Sequence, residues 1–260
     1  MDEALKPMIN GRMYHIYCRE GDIAPYVLLP GAPERSDLIA EFLEDARHIA
    51  KHREYNIYTG YYKGVPISTC STGIGGPSLA IAVEELLWVG AKVFIRVGSS
   101  GSIRKEIRCG DLVISKAAVR MDGTSYQYAP EGYPASASPL VVTMLENAAK
   151  KLGFRYHVGI TCTTDSFYVG QERPGFSGYL PGKMKGLIEE LRKLNVFNFD
   201  METATLFVLA NIYNVHAGSI CAVFANRVTG EFKTVGEGKA IRTALEAVVM
   251  LDEVLNLSER

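Results

Sequence analysis

The sequence predicts an α/β fold, a single domain in which a central mixed β-sheet is flanked by helices. Short apolar runs alternate with segments of helical spacing, which is the pattern of βαβ units. No internal repeat or low-complexity linker interrupts the chain, so we expect one domain over residues 1–260. Apolar residues make up 47% of the chain and charged residues 22%, a composition typical of globular proteins that excludes disorder.

Each element follows from a local pattern. Strands are predicted at 26–30, 65–70, 93–97, 113–119, 158–163 and 219–225, with 55–62 as a further candidate. Helices are predicted at 33–42, in the segment after Pro77, and at 140–152, 184–194, 201–212 and 237–255. Polar or glycine-rich loops begin at Gly31, Gly73 and Gly98, each after a strand. Because such sheets bind ligands at the carboxyl ends of their strands, we expect the functional site among these loops.

Charge and composition exclude several kinds of partner. Lys plus Arg is 28 and Asp plus Glu is 29, a net charge of −1, so we expect no nucleic-acid partner. No run reaches the roughly 18 apolar residues of a membrane span, and the N-terminus lacks the apolar core of a signal peptide. The five cysteines form no CxxC pair and indicate reduced thiols in a cytoplasmic protein. They are Cys18, Cys70, Cys109, Cys162 and Cys221.

Arg96 is the least ordinary charged residue, because it lies inside the apolar strand VFIRVG. A charge in that position needs a partner or an anionic ligand. Ser99 and Ser100 follow at the predicted strand end, with Gly98 and Gly101 on either side. A guanidinium beside hydroxyls and backbone amides suits phosphate. The alternative is a structural ion pair with a buried carboxylate.

Two other glycine-containing loops are candidate anion sites. In LPGAPER, Gly31 permits close backbone approach, and Arg35 lies about one turn into the following helix. The alternative there is an ordinary turn with a solvated arginine. The STGIGGPS loop lacks both the lysine of a P-loop and the G-x-G-x-x-G spacing, so a nucleotide site is weakly indicated. A close approach of strand and helix explains its glycines equally well.

The segment TTDSFYVGQER has an unusual set of side chains for a loop. Phe167 offers a stacking surface, Gln171 a donor and an acceptor, and Arg173 fixed donors, which together suit a heterocycle with carbonyl and N–H groups. An ordinary surface loop is the alternative. Further along, Asp200 is expected to cap a helix, and Glu202 in its first turn offers a carboxylate to vicinal hydroxyls or compensates the helix dipole.

Seven segments in order resemble the nucleoside phosphorylase family, and within it the uridine phosphorylase branch. They are LPGAPER, HRE, STGIGGPS, RVGSSG, DSFYVGQER, FDMETATL and ANR, and the match runs from about His15 to the C-terminal helix. The resemblance implies a nucleoside phosphorylase-like fold and a pentosyltransferase activity. Members of this branch cleave uridine with inorganic phosphate, giving uracil and ribose 1-phosphate in pyrimidine salvage.

The resemblance also implies roles for individual residues. Phosphate contacts would come from Gly31, Arg35, Arg96 and Ser99, and from Arg53 of a neighbouring subunit. Ribose contacts would come from Met201, Glu202 and a neighbour's His15, and base contacts from Phe167, Gln171, Arg173 and Arg227. Glu54, Ile74 and Ser78 match a monovalent-cation site, for K⁺, between paired subunits of a ring-shaped hexamer, a trimer of dimers. Arg35, Arg96, Gln171 and Arg173 would carry catalysis by electrostatic preorganisation, with phosphate as co-substrate and no required cofactor.

The chain departs from the family pattern at a few positions, and alternatives remain open. Ser99 and Ser100 stand where many relatives have two threonines, and Asp200 stands where glutamate is common. The closest alternative is a purine nucleoside phosphorylase on the same scaffold, whose typical acid near the purine N7 has no counterpart in FANR at 224–227. A nucleosidase that uses water and a non-catalytic nucleoside-binding protein are further alternatives.

Overall fold

The computed structural model describes residues 4–258, so both ends of the predicted domain, 1–3 and 259–260, lie outside the described residues. The strands are β1 (Met8–Ile9), β2 (Arg12–Met13), β3 (Tyr26–Leu29), β4 (Glu44–His52), β5 (Tyr55–Tyr62), β6 (Val65–Cys70), β7 (Val93–Ser102), β8 (Leu112–Met121), β9 (Ala135–Ser136), β10 (Tyr156–Thr164), β11 (Val196–Asp200), β12 (His216–Asn226) and β13 (Glu231–Phe232). The α-helices are α1 (Pro33–Ala40), α2 (Gly76–Trp88), α3 (Thr124–Tyr128), α4 (Pro139–Lys151), α5 (Leu187–Lys193), α6 (Thr203–Ile212) and α7 (Glu237–Leu255).

The central sheet is mixed, and part of it closes on itself. Its strands run in the order β13-β12-β8-β10-β11-β7-β3-β6-β5-β4, with β9 on the side of β8. Because β12 also pairs with β7, the strands β7, β12, β8, β10 and β11 form a closed ring. β3 and β12 lie parallel to β7, whereas β11 runs antiparallel to it. The predicted fold class, a central mixed sheet flanked by helices, is therefore confirmed.

Helices cover the sheet on two sides, each over its own apolar core. One core contains Leu79 and Val83 of α2 with Phe207 of α6. The other contains Val141 of α4 and Leu245 of α7. Fully burying a side chain of this size contributes about 1.5–3 kcal/mol, so these contacts fix the strands that carry the site. Within residues 4–258, no helix combines the length and apolar character needed to cross a membrane.

Several element boundaries differ from the sequence prediction. The glycine-rich segment at 98–101, predicted as a loop, lies inside β7 because β12 pairs with it as far as Ser102. The segment 196–200 is strand β11, and α6 begins at Thr203 instead of at 201. The exposed strand β4 was not predicted, since most of its side chains face solvent. The helix predicted at 184–194 begins only at Leu187, after Gly186 in the left-handed conformation with φ of 82°.

Candidate functional site

A cavity of about 930 Å³ lies where β3, β7, β11 and β12 meet, and the loops after β6 and β10 form part of its wall. Most of the residues that the sequence singled out line this one cavity. They are Gly31, Arg35, Ile74, Arg96, Ser99, Phe167, Gln171, Arg173, Met201, Glu202 and Arg227. The structure therefore brings together segments that are up to about two hundred residues apart in the chain.

Arg96 is only 4% exposed and forms ion pairs with two carboxylates. Its Nε donates to Asp200 Oδ2 at 2.9 Å, and its Nη2 lies 2.5 Å from Glu202 Oε2. The antiparallel pairing of β11 with β7 directs Asp200 and Glu202 back along β7 towards Arg96. Burial disfavours the charged guanidinium, yet the two carboxylates raise its pKa above the ordinary value. Arg96 is thus both the partner of buried carboxylates and a cationic wall of the cavity.

The glycines and serines beside Arg96 leave room for an anion. A Cβ on Gly98 would lie 2.8 Å from Arg96 Cζ and 2.8 Å from Cys221 Sγ, so only glycine accommodates the guanidinium there. Ser99 and Ser100 both line the cavity. Ser100 Oγ is buried and has no hydrogen-bond partner within residues 4–258. A buried hydroxyl without a partner is costly, which is consistent with a ligand as its partner.

Arg35 lies in the first turn of α1 and reaches the same end of the cavity. Its Nη1 donates to the carbonyl of Val97 at 3.3 Å, next to Arg96 in β7, and its Nε donates to Glu237. Gly31 precedes this helix and packs against the loop after β6, where a Cβ on Gly31 would lie 3.2 Å from the Gly73 carbonyl. The two arginines and the adjacent hydroxyls form one end of the cavity, the arginine end, where Glu237, Asp200 and Glu202 already pair with the guanidiniums.

Glu202 joins this arginine end to the loop after β6. Its Oε1 accepts a hydrogen bond from the Gly75 amide at 2.6 Å, while its other oxygen pairs with Arg96. Burial raises the pKa of Glu202, and the charge of Arg96 opposes that effect. Glu202 precedes α6 instead of lying in its first turn. Glu202, and not Asp200 as expected, is the N-cap residue of α6, although the Asp200 carboxylate accepts a hydrogen bond from the Thr203 amide at 3.0 Å.

The opposite end of the cavity carries neutral and cationic donors. Gln171 is 3% exposed, and its Nε2 donates to Thr164 Oγ1 at 3.2 Å while its Oε1 accepts from Arg173. The Arg173 guanidinium lies 4.1 Å from the centre of the Phe167 ring, a cation–π contact. Phe167 is 49% exposed, so one aromatic face remains available for stacking.

This end holds two arginines without a paired carboxylate among the described residues. Arg227 instead donates to the carbonyls of Gln171 and Glu172, at 2.8 and 3.3 Å. Burial and the charge of Arg227 together lower the pKa of Arg173 to about 10. Arg173 therefore remains charged at neutral pH, and the unbalanced positive charge favours a ligand that carries or develops negative charge.

Four predicted site residues lie outside the cavity lining. His15 Nδ1 lies 2.7 Å from Glu85, and Arg53 is exposed in the turn between β4 and β5, stacked on Tyr14. Glu54 and Ser78 converge near Gly73, where an added Cβ would lie 2.9 Å from Glu54 Cγ and 3.3 Å from Ser78 Oγ. The chain alone therefore assembles neither the ribose contact of His15 nor the phosphate contact of Arg53.

Comparison with known proteins shows which family the chain belongs to. The family model of the Phosphorylase superfamily matches residues 25–251. The chain belongs to the Phosphorylase superfamily. It is 58% identical over 244 residues to a uridine phosphorylase from Thermococcus kodakarensis, covering 94% of this chain and 88% of the relative. It is 37% identical over 248 residues to a uridine phosphorylase from Escherichia coli, covering 92% and 98%.

One relative carries a purine name. A guanosine phosphorylase from Halorubrum lacusprofundi is 34% identical over 249 residues, covering 91% of this chain and 98% of the relative. Superfamily membership confirms the resemblance stated from the motifs. The roles of the individual site residues stay predictions, which the geometry above makes specific.

Sequence reasoning missed several carboxylates in this Phosphorylase superfamily chain. Glu237 pairs with Arg35 across 202 positions, and Glu85 accepts from the amides of His15 and Ile16. Glu85 had a detectable signal, because it and Glu84 are the two charged residues of the apolar stretch LAIAVEELLW in α2, where Glu85 proves to be buried. Glu237 had none, since an acidic residue in a first helical turn is ordinary.

Proposed function

We propose that this chain is a uridine phosphorylase, which transfers the ribosyl group of uridine to inorganic phosphate in pyrimidine salvage. One observation carries the proposal: a single cavity holds the arginine end, whose donors suit phosphate, the Glu202 carboxylate, and a donor-rich end around Gln171. The relatives named uridine phosphorylase support the assignment. The products are uracil and ribose 1-phosphate.

The reaction needs a nucleophile, and we assign that role to phosphate itself. A phosphate oxygen bonds to C1′ as the bond from C1′ to N1 of uracil breaks, and the electron pair leaves with the base. The proton carried by the phosphate or solvent ends on uracil. Arg35 and Arg96 fix the dianion beside C1′, where its charge stabilises the oxocarbenium character that develops on the ribose.

The donor-rich end stabilises the departing base. Donors from Gln171 and Arg173 on the uracil carbonyls disperse the negative charge that the leaving group acquires. Each well-placed donor of this kind contributes about 3 kcal/mol to lowering the barrier. Glu202 accepts hydrogen bonds from the ribose hydroxyls, and its ion pair with Arg96 fixes the sugar relative to the phosphate. Met201 lines the cavity next to Glu202, and we assign it to the packing surface for the sugar.

The alternative chemistries fit the cavity less well. A nucleosidase would not need two arginines and a buried unpartnered hydroxyl at the end opposite the base. A purine phosphorylase would need an acid near the purine N7, and the segment 224–227 contains Asn226 and Arg227 instead. Glu231 lies opposite Asn226 and also lines the cavity, but its carboxylate is paired with Lys233. The guanosine phosphorylase relative makes this the alternative to test directly.

We further propose that the active form is a homo-hexamer, a trimer of dimers, in which neighbouring copies complete each site. Support comes from His15 and Arg53, which lie outside the cavity of their own chain. Arg53 is exposed and has no ion pair within the described part of the chain, so its charge is free to serve a neighbour's phosphate. The cytoplasmic location stays a prediction from the cysteines.

A monovalent cation such as K⁺ would fit the group formed by Glu54, Ile74 and Ser78. The donors are a single carboxylate, a carbonyl and a hydroxyl, which are oxygen ligands suited to a hard cation of low charge. Ser78 Oγ lies 3.5 Å from the Ile74 carbonyl and 3.3 Å from that of Gly75. The ion would brace the loop after β6 beneath the cavity, and the reaction would proceed without any other cofactor.

The proposed function is tested by following products with and without phosphate. Phosphorus NMR of the chain incubated with uridine and inorganic phosphate should show ribose 1-phosphate appearing at the rate at which uracil forms. No uracil should form in phosphate-free buffer. Free ribose in place of ribose 1-phosphate would contradict the proposal, and so would uridine binding without turnover at saturating phosphate.

A further inference from the structure

Glu172 lies between Gln171 and Arg173, which belong to the end of the cavity proposed to bind the base, the base end. The Glu172 carboxylate nevertheless points away from the cavity. Gln171 and Arg173 both line the cavity, whereas Glu172 lines a separate outer depression of about 760 Å³. Its backbone has φ of 53° and ψ of 35°, the left-handed conformation that non-glycine residues adopt uncommonly. This one turn of the backbone aims its two neighbours inwards and Glu172 outwards.

The Glu172 carboxylate joins the base loop to α5. Its Oε1 accepts from the Gly186 amide at 2.6 Å, and its Oε2 accepts from the Ile188 amide at 2.7 Å. These amides belong to the start of α5, where backbone donors lack partners inside the helix. Hydrogen bonds to an ionised carboxylate are about twice as strong as neutral ones, so this is a firm connection across fourteen positions of sequence.

The other end of the connection is anchored in the core. Leu187 and Leu191 of α5 are buried against Phe199 of β11. Phe199 itself lines the base cavity. The carboxylate of Glu172 therefore ties the loop that carries the base donors to a helix whose position is set by the wall of the same cavity.

We propose that Glu172 is a positioning residue for the base end, and this inference rests on the proposed phosphorolysis of uridine. Through α5 it keeps Gln171 and Arg173 aimed at the leaving base. Arg227 holds the same loop from the side of the cavity, because it donates to the carbonyls of Gln171 and Glu172. The carboxylate faces outwards and forms no ion pair with Arg173 or Arg227 among the described residues, although its charge favours the charged form of Arg227.

The experiment measures the cleavage of two nucleosides by the wild type and three variants. The wild type, Glu172→Ala, Glu172→Gln and the control Glu189→Gln are assayed with uridine and with 5-fluorouridine at saturating phosphate. Glu189 is an exposed carboxylate of α5 that pairs with Lys193 on the helix surface, so it matches the charge change without touching the base loop. Fluorine stabilises the departing base anion, so cleavage of 5-fluorouridine depends less on the donors of the enzyme.

We expect Glu172→Ala to lower kcat/KM for uridine about tenfold to a hundredfold through loss of two charge-assisted bonds. The loss with 5-fluorouridine should be several times smaller, the KM for phosphate should stay within about twofold, and Glu189→Gln should match the wild type. Glu172→Gln retains one acceptor oxygen and should fall between wild type and Glu172→Ala. It is also the informative variant where Glu172→Ala fails to fold.

Two outcomes would overturn the inference. An equal loss on both substrates would show that Glu172 only stabilises α5, and a loss shared by Glu189→Gln would show a general charge effect. The proposed function fails separately, because a wild-type chain that releases no uracil from uridine would reveal this before any variant is compared.

Discussion

Replacing Arg96 with alanine removes the cation that two buried carboxylates share. Asp200 and Glu202 pair with its guanidinium at 2.9 and 2.5 Å, and the guanidinium also faces the proposed phosphate position. Sequence alone predicts a variant that is inactive and largely folded. The structure adds a cost in stability, because the variant leaves two carboxylates buried without their cation.

The loss of stability and the loss of activity in Arg96→Ala can both be given a magnitude. Removing one partner of a buried ion pair costs about 3–5 kcal/mol, a large share of the roughly 5–15 kcal/mol that stabilises a typical domain. The melting temperature should fall by about 10 °C. Loss of one preorganised cation in the site costs about 3–4 kcal/mol in barrier, so kcat/KM for phosphate should fall by about a hundredfold to a thousandfold.

The stability loss should depend on pH in a definite direction. Burial raises the pKa of Glu202 above its ordinary value of 4.5, and without Arg96 it should rise further. A carboxyl whose pKa is raised by folding binds a proton preferentially in the folded state, so stability falls as pH rises above 4.5 through the folded pKa. The deficit of Arg96→Ala should therefore be larger at about pH 8 than at about pH 5.

Calorimetry at both pH values and initial rates against phosphate concentration measure these effects. The exposed Arg47→Ala variant controls for the loss of a surface charge. Wild-type activity of Arg96→Ala at ordinary phosphate would refute the phosphate assignment. A stability deficit that is the same at both pH values would refute the electrostatic explanation.

Two other predictions concern Gln171 at the base end and the buried carboxylate of Glu246. Gln171→Ala should lower kcat/KM for uridine about a hundredfold and leave the KM for phosphate within about twofold, whereas equal loss of both in initial-rate assays would indicate collapse of the cavity. Although burial of Glu246 opposes its ionisation, hydrogen bonds from Lys63, Lys151 and Tyr62 lower its pKa to about 2. The stabilisation by ionised Glu246 is present above the ordinary pKa of 4.5 and is lost as the pH falls towards 2. The free energy of unfolding of Glu246→Gln, measured in urea, should therefore lack this part of the acid dependence. An acid dependence equal to that of the wild type would contradict the prediction.

The elements that sequence patterns predicted well are those whose burial is continuous. The buried strand β6 begins and ends at the predicted residues, Val65 and Cys70, and α7 begins and ends at Glu237 and Leu255. The pattern failed where tertiary pairing overrides composition. The segment 98–101 has the glycines and serines of a loop, but β12 supplies a partner strand for its backbone.

For the site too, the sequence predicted the local features and missed those that depend on tertiary contacts. Local motifs predicted which residues face the cavity, because each lies at or near a strand end that the fold brings to one edge. They did not predict what Arg35 or Arg96 would pair with, since Glu237 and Asp200 are more than a hundred positions away. His15 is hydrogen-bonded to Glu85 and lies outside the lining of its own cavity. The ribose contact predicted for it would therefore be made in a neighbouring chain.

The ratio of kcat/KM for uridine to that for inosine, measured at saturating phosphate, tests the central claim most directly. A site whose buried donors match the carbonyls of uracil should reject a base that leaves them unpaired. We therefore expect uridine to be preferred by at least about a hundredfold, with no cleavage of either nucleoside when phosphate is omitted. A preference for inosine would contradict the assignment of Gln171 and Arg173 to a pyrimidine, and phosphate-independent cleavage would contradict the mechanism.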